Sequence, residues 1–250
     1  MQLLFIGAGN MGGAIIDGLQ DSKNQIFISA NKKEKIEPLK NKYPNAIVEY
    51  SESVNIEGKV VILAVKPQVY KTIKTNGKAK AIISVMAGVK LDSLREQFSA
   101  DFFIRAMPNV AASHKASATA FTGDIDFQKE AKEILENIGQ AIWVDSEKEL
   151  NIATALAGSG PAYMMLVAEA LADGAVRMGL KRATAQKLTQ GLFEGSAKIL
   201  KDANPSAVKD SVMSPAGTTA YGYEALEEAK VRSGFIKAVE KAFKRAEELS

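Results

Sequence analysis

Three glycines at a strand-to-helix junction are the first residues with chemical promise. Gly7-Ala8-Gly9-Asn10-Met11-Gly12 follows the apolar run Leu3-Leu4-Phe5-Ile6 and precedes helical spacing at Met11, Ile15, Ile16 and Leu19. In such a G-x-G-x-x-G segment Gly7 permits a tight turn, Gly9 lets the backbone approach a pyrophosphate, and Gly12 packs the helix on the strand. The helix N-terminus then offers free N–H groups to the anion. The pattern also fits an ordinary glycine-rich turn. Its place straight after an N-terminal strand favours a dinucleotide site.

The segment after the next apolar run, Ile26-Phe27-Ile28, bears on the choice of dinucleotide. An NAD site usually carries Asp or Glu there to accept from the ribose 2′-OH. Here it reads Ser29-Ala30-Asn31-Lys32-Lys33, with no acid before Glu34. An amide and one or two ammonium groups attract a 2′-phosphate that a carboxylate repels. Asn31 and Lys32 therefore favour NADPH, with NADH still open. The plainer alternative is a pair of solvated lysines beginning a helix.

Two further strand exits lie where an open α/β sheet binds its ligand. They are Ala64-Val65-Lys66-Pro67, with a rigid X-Pro turn, and Val85-Met86-Ala87-Gly88, whose small residues suit a flat ring. Later, Gly158-Ser159-Gly160-Pro161-Ala162-Tyr163 approaches a helix. Ser214-Pro215-Ala216-Gly217-Thr218-Thr219 precedes another, expected from about residue 220 to 229. There a Thr can act as N-cap, or its hydroxyl and free N–H groups can bind a carboxylate. His114 is the single histidine and has no partner suggested by spacing. Without Cys or a second His, little is available for a catalytic metal, and none is expected.

The elements that position these residues fall into two halves. β-branched runs without alternation at residues 60–65 and 81–85, with shorter runs at 46–48, 102–105, 118–121 and 141–144, predict strands buried on both faces. From about Glu147 no strand signal remains. Met164, Val167, Ala168, Leu171, Ala175 and Met178 make one helix face closed by Gly179, and Leu188, Leu192, Ile199 and Leu200 mark a second helix. Ile236, Val239, Phe243 and Ala246 mark a last one. Gly191 and Gly195, four apart, either admit a close helix neighbour or are a local accident of packing. The predicted class is α/β: a Rossmann-type dinucleotide-binding domain at 1–150, then an all-helical dimerisation and substrate domain at 151–250.

Composition excludes several alternatives. Of 250 residues 46% are hydrophobic and 24% charged, enough apolar side chain to fold. The net charge of +3, with Lys and Arg interspersed among acids, argues against nucleic acid. No wholly apolar run reaches the length of a membrane helix, no signal-peptide pattern follows Met1, and the absence of Cys fits a reducing cytoplasm.

Over nearly its whole length the chain resembles the pyrroline-5-carboxylate reductases, which make proline from a cyclic imine. The resemblance rests on Phe5-Ile6-Gly7-Ala8-Gly9-Asn10-Met11, Leu63-Ala64-Val65-Lys66-Pro67-Gln68 and Arg105-Ala106-Met107-Pro108-Asn109. Gly158-Ser159-Gly160-Pro161-Ala162-Tyr163, Ala170-Leu171-Ala172-Asp173-Gly174 and Ser214-Pro215-Ala216-Gly217-Thr218-Thr219 are more specific. It implies interleaved dimers, often in rings, and a small imine as substrate. It implies cofactor contacts from Ile6, Gly7, Gly9, Asn10, Met11 and Gly12, from Ser51 near the adenosine, and from Asn109. Ala64, Val65, Lys66, Pro67, Val85, Met86 and Ala87 would hold the nicotinamide. Glu147, Ser211, Ser214, Gly217, Thr218 and Thr219 would serve the substrate. The family usually has Gly at Ala216, often Asn or Gln at Ser211, and often Asn at Ser51. These departures would tighten the loop and remove polar contacts.

The expected reaction is hydride transfer from the nicotinamide to the carbon of the C=N bond. An imine nitrogen takes up a proton readily, so positioning carries the catalysis. Thr219 would bond the ring nitrogen, and N–H groups at 217–219 would hold the carboxylate. A relative reducing another small substrate, or a dinucleotide-binding regulator without chemistry, are the competing readings. The paired threonines weigh against both.

Overall fold

The computed structural model describes residues 1–249. Its first part alternates strands and helices: β1 (Gln2–Ile6), α1 (Asn10–Leu19), β2 (Gln25–Ala30), α2 (Ile36–Lys42), β3 (Ile47–Tyr50), β4 (Val54–Asn55) and β5 (Val60–Leu63). Then come β6 (Thr75–Asn76), β7 (Ala79–Ser84), α3 (Leu91–Gln97), β8 (Ala100–Met107), β9 (Ser117–Gly123), α4 (Gln128–Leu135) and β10 (Gly139–Trp143). Eight of these strands form one sheet in the order β10-β9-β8-β7-β5-β1-β2-β3, and β4 pairs with β6. β1 has parallel neighbours on both sides, β2 and β5. Strand order turns about β1, so the crevice outside its C-terminal end is the ligand site of such a sheet.

Apolar runs are continuous because both faces of the sheet are covered. Every residue of β5 is buried. Phe5, Ile62, Ile83 and Ile104 pack on one face with Ile15, Ile16 and Leu19 of α1 and with Ile134 of α4. Leu4, Leu63, Ile82 and Phe103 pack on the other with Leu94 of α3. One pairing departs from a parallel sheet: β8 and β9 run antiparallel. Only residues 108–116 join them, too few for the crossover a parallel pair requires.

The remainder is helical: α5 (Glu147–Ala153), a π-helical turn (Thr154–Gly158), α6 (Gly160–Arg177), α7 (Arg182–Ile199), α8 (Pro205–Ser211), α9 (Thr218–Glu228) and α10 (Val231–Leu249). Gly179 closes α6 at φ +108, where the chain needs a glycine. The α5–π–α6 stretch is one continuous helix, Glu147–Arg177. By length and composition it is apolar enough to cross a membrane. The run-by-run expectation missed it, because Gly, Ser, Thr, Asn and Pro interrupt the aliphatic residues of 150–168 without adding a charge. Only 11% of its most apolar window is buried.

The chain packs as two compact units. One comprises Met1–Pro161 with the chain from Lys241 on; the other is Ala162–Glu240. The second unit has almost no interior of its own. Among the described residues from 162 to 240, only Ala172 and Ala185 are buried. Met164, Met165, Leu166, Leu188 and Leu192 stand exposed on α6 and α7. Nothing lies within 4 Å of a Cβ built on Gly191 or Gly195.

Candidate active site

The glycines after β1 divide their tasks by space. A Cβ on Gly7, at φ +102, would lie 2.5 Å from the Ala64 carbonyl oxygen. One on Gly12 would lie 2.1 Å from the Gly7 oxygen. Both places are closed to a side chain. A Cβ on Gly9 would meet nothing within 4 Å. Gly9 is also the N-cap of α1, with no side chain capping the helix and no acid in its first turn. Free N–H groups and the positive end of the helix dipole thus face open space at the one glycine where the backbone is accessible.

A cleft of about 670 Å³ opens beside this turn. Its lining brings together Ile6, Gly7, Gly9, Asn31, Ser51, Ala64, Val65 and Lys66 of the expected residues. Asn10, Met11 and Gly12 sit one step into α1, off the lining, and Val85, Met86 and Ala87 are not part of it either. Pro67 opens a 3-10 turn behind it. The sequence reading missed Lys35, Tyr50 and Lys74, which also line the cleft, as does Glu52. Lys35 ends the short 3-10 turn Lys33–Lys35 that follows Asn31, a bend after β2 that no regular spacing signals.

Lys32 is absent from the lining and pairs with Glu34 at 3.5 Å on the surface. Lys33 lies over the ring of Tyr50, 5.7 Å from its centroid. Of the three lysines 32, 33 and 35, Lys35 alone lines the cleft with Asn31. The Ser51 hydroxyl donates to the Ser53 carbonyl at 2.7 Å, which occupies its proton within the turn.

Three other expected contacts are spent inside the first unit. Met86 is buried at 3% with its side chain in the core, so only its backbone can face a ligand. The Asn109 amide accepts from the Ala111 N–H at 3.0 Å and donates to the Ala157 carbonyl at 3.0 Å. The Glu147 carboxylate accepts from Arg105 Nη1 at 2.6 Å and from the Leu91 N–H at 3.0 Å. For these two residues, fold contacts explain the polar side chain.

In the second unit α9 begins at Thr218, about two residues earlier than expected, with Gly217 as N-cap and no side-chain cap. Thr218 and Thr219 are thus the first helical residues, and neither caps the helix. Gly217 N–H donates to the Ser214 carbonyl at 3.0 Å and is unavailable to an anion. A Cβ on Gly217 would fall 2.3 Å from Ser214 Oγ, so a side chain there would require the Ser214 hydroxyl to turn away. Ala216 adopts φ +56, the left-handed conformation that a glycine takes without strain. The Ser211 hydroxyl donates to Val208 O at 2.8 Å. His114 lies in an exposed turn with Ser113 Oγ 2.9 Å from Nδ1. Among the described residues, no three His, Asp or Glu side chains gather to hold a metal.

A doubly wound sheet, an open glycine at an uncapped helix and a helical region without its own core define a Rossmann-type dinucleotide-binding protein with an oligomerisation region. Residues 2–88 match the model of the "NADP oxidoreductase coenzyme F420-dependent" family, and 147–249 match "Pyrroline-5-carboxylate reductase dimerisation". The chain belongs to the pyrroline-5-carboxylate reductase family. It is 35% identical to the reductase of Synechocystis sp. (strain ATCC 27184 / PCC 6803 / Kazusa), over 100% of this chain and 98% of that protein. Among solved structures, the Streptococcus pyogenes reductase superposes with a TM-score of 0.86 at 31% identity, covering 99% and 98% of the two chains. The Plasmodium falciparum enzyme, solved with NADP bound, gives 0.83 at 25% identity, covering 100% and 98%.

Proposed function

We propose that this chain reduces 1-pyrroline-5-carboxylate to L-proline, with NADPH as the preferred hydride donor. The observation that carries the dinucleotide half is the accessible backbone of Gly9 at an uncapped helix, between two glycines with no room for a side chain. The pyrophosphate would lie at residues 7–12, and the adenosine end at Asn31, Lys35, Tyr50 and Ser51. The nicotinamide, which supplies the hydride when bound, would lie at residues 64–67 and 85–87. Residues 1–150 carry this half of the work in our reading, and 151–250 carry substrate binding and dimerisation.

Thr218 and Thr219 stand at the start of α9 with hydroxyls that cap nothing. Their N–H groups would hold the substrate carboxylate, and the Thr219 hydroxyl would bond the ring nitrogen. The imine carbon receives a hydride and the nitrogen a proton, which water can deliver because an imine is already basic. Positioning then accounts for most of the rate. Ser214 would hold the loop's shape rather than the substrate.

The second unit is completed by another copy of the chain. This reading is supported by the exposed apolar side chains of α6 and α7. Between them lies a groove of about 870 Å³ lined by Met165, Ala168, Ala172 and Phe193 together with charged Glu169, Asp173, Arg182 and Glu194. A two-fold dimer, alone or in a ring of dimers, buries these faces. It also accounts for an apolar Glu147–Arg177 helix without a membrane. The absence of Cys supports a cytoplasmic location for this activity.

The test is loss of NADPH absorbance when 1-pyrroline-5-carboxylate is added, with the product identified as proline. NADPH bound but never oxidised would support the regulator. Turnover with a hydroxy acid and none with the pyrroline would support the other dehydrogenase. Light scattering should give a dimer or a multiple of it, and a fully active monomer would remove the assembly.

A further inference from the structure

Arg105 is the largest fully buried side chain, 1% exposed, and lies on β8 in register with Ser84 at the end of β7 and with Thr122 of β9. Nη1 donates to Glu147 Oε1 at 2.6 Å, whereas Nε and Nη2 are buried with no hydrogen-bond partner. Burying a cation costs free energy, and an apolar side chain of similar volume often serves stability as well as a buried ion pair. Two orphan donors add to that cost. Stability alone therefore does not account for an arginine here, and the bond from Nη1 is what distinguishes it from a methionine.

That bond ends on an oxygen with a second task. Glu147 Oε1 also accepts the Leu91 N–H, at 3.0 Å. Leu91 is the first residue of α3, and residues 85–90 are the loop that joins β7 to it. At its other end the loop is fastened by Val85 N–H to the Leu63 carbonyl, at 3.0 Å. Arg105 thus anchors Glu147, and Glu147 anchors the far end of the loop.

We propose that Arg105 is a positioning residue which, through Glu147, holds residues 85–90 where the nicotinamide ring must lie for hydride transfer. This rests on the cofactor assignment made above. It gives Glu147 a place in the reaction without contact to the substrate. A loosened loop leaves the pyrophosphate and adenosine ends of the cofactor anchored and lets only its reactive ring drift. Small misplacements of reacting atoms cost rate far more than affinity.

The experiment compares Glu147→Ala, Glu147→Gln and Arg105→Met with the full-length parent. Amide hydrogen exchange at Leu91 and single-turnover oxidation of NADPH and of its 4-deuterated form are read on each. In Glu147→Ala the Leu91 amide should exchange at least about tenfold faster, since its acceptor is gone. Hydride transfer should slow by roughly tenfold or more, with a larger deuterium isotope effect. NADPH affinity and the pyrroline KM should stay within about twofold of the parent, because neither ligand loses a contact. Glu147→Gln keeps an acceptor oxygen and should recover most of the rate, while Arg105→Met should follow Glu147→Ala. A raised pyrroline KM with unchanged hydride transfer would make Glu147 a substrate ligand and overturn the proposal. Lower thermal stability with an unchanged rate and isotope effect would leave the pair structural and also overturn it. Unchanged Leu91 protection in Glu147→Ala overturns the clamp whatever the substrate is, so its failure can be told from failure of the assigned reaction.

Discussion

Asn109 donates a hydrogen bond from Nδ2 to the Ala157 carbonyl at 3.0 Å, and the proline four residues after Ala157 explains why. In a regular helix that carbonyl would accept from the N–H of residue 161. Pro161 has none. The helix relaxes into a π-helical turn over Thr154–Gly158, closed by Ser159 N–H to the Thr154 carbonyl at 3.0 Å. Asn109 supplies the missing donor, so its amide belongs to the helix. Asn109→Ala should therefore lower stability by about 1–3 kcal/mol, because it takes the donor from the half-buried Ala157 carbonyl and the cap from the Ala111 N–H. Urea unfolding measures the loss. NADPH titration of the folded variant should change less than about twofold, and a large loss of affinity would return Asn109 to the cofactor site.

Lys35 and Lys32 separate the structural reading of cofactor preference from the sequence reading. Lys35 lines the cleft, whereas Lys32 is paired with Glu34 on the surface. Lys35→Ala should weaken NADPH by about 1–3 kcal/mol, the range for a charge-assisted contact, and spare NADH. Lys32→Ala should change either cofactor by less than about 0.5 kcal/mol, as for an exposed pair. Fluorescence titrations at two salt concentrations decide the matter. The Lys35 effect should shrink as salt screens the phosphate.

Thr219 carries a prediction about kinetics. A hydroxyl bonded to the ring nitrogen gains strength as that nitrogen acquires amine character, so its loss should lower kcat more than it raises KM. Thr219→Ala should cost about 5- to 150-fold in kcat/KM, equivalent to one hydrogen bond in a desolvated site. Thr219→Ser should retain most activity. Because Gly217 is the N-cap and Thr219 caps nothing, Thr219→Ala should leave the unfolding free energy within about 0.5 kcal/mol of the parent. Near-normal kcat would remove the residue from the reaction.

Ala216 offers a stability test in the same loop. At φ +56 an alanine bears roughly 1 kcal/mol of steric strain that glycine avoids. Glycine loses more chain entropy on folding, which offsets part of the gain. Ala216→Gly should raise stability by about 0.5 kcal/mol, read as a higher thermal midpoint. Lower stability would mean that the backbone of this loop is not held left-handed in solution.

The short β4 and β6 and the continuity of the Glu147–Arg177 helix gave no local signal. The strands of the large sheet, the glycine-rich turn and the apolar faces of the long helices did. Each depends on side chains within a few residues, such as the unbroken apolar run of β5 or Gly179 at the end of α6. The roles of Gly7, Gly9 and Gly12 were equally legible from their spacing, although what crowds Gly7 is Ala64 at the exit of the distant β5. What tertiary structure alone decided was where polar side chains spend their hydrogen bonds. Asn109 and Glu147 look like site residues in the sequence, yet their partners Ala157 and Arg105 lie 48 and 42 residues away. Lys32 and Lys35 differ by three positions and carry the same charge, and only the path of the chain between β2 and α2 puts one on the cleft and the other in solvent. A sequence states which donors and acceptors exist; whether each is free for a ligand depends on which distant group folding brings to it first.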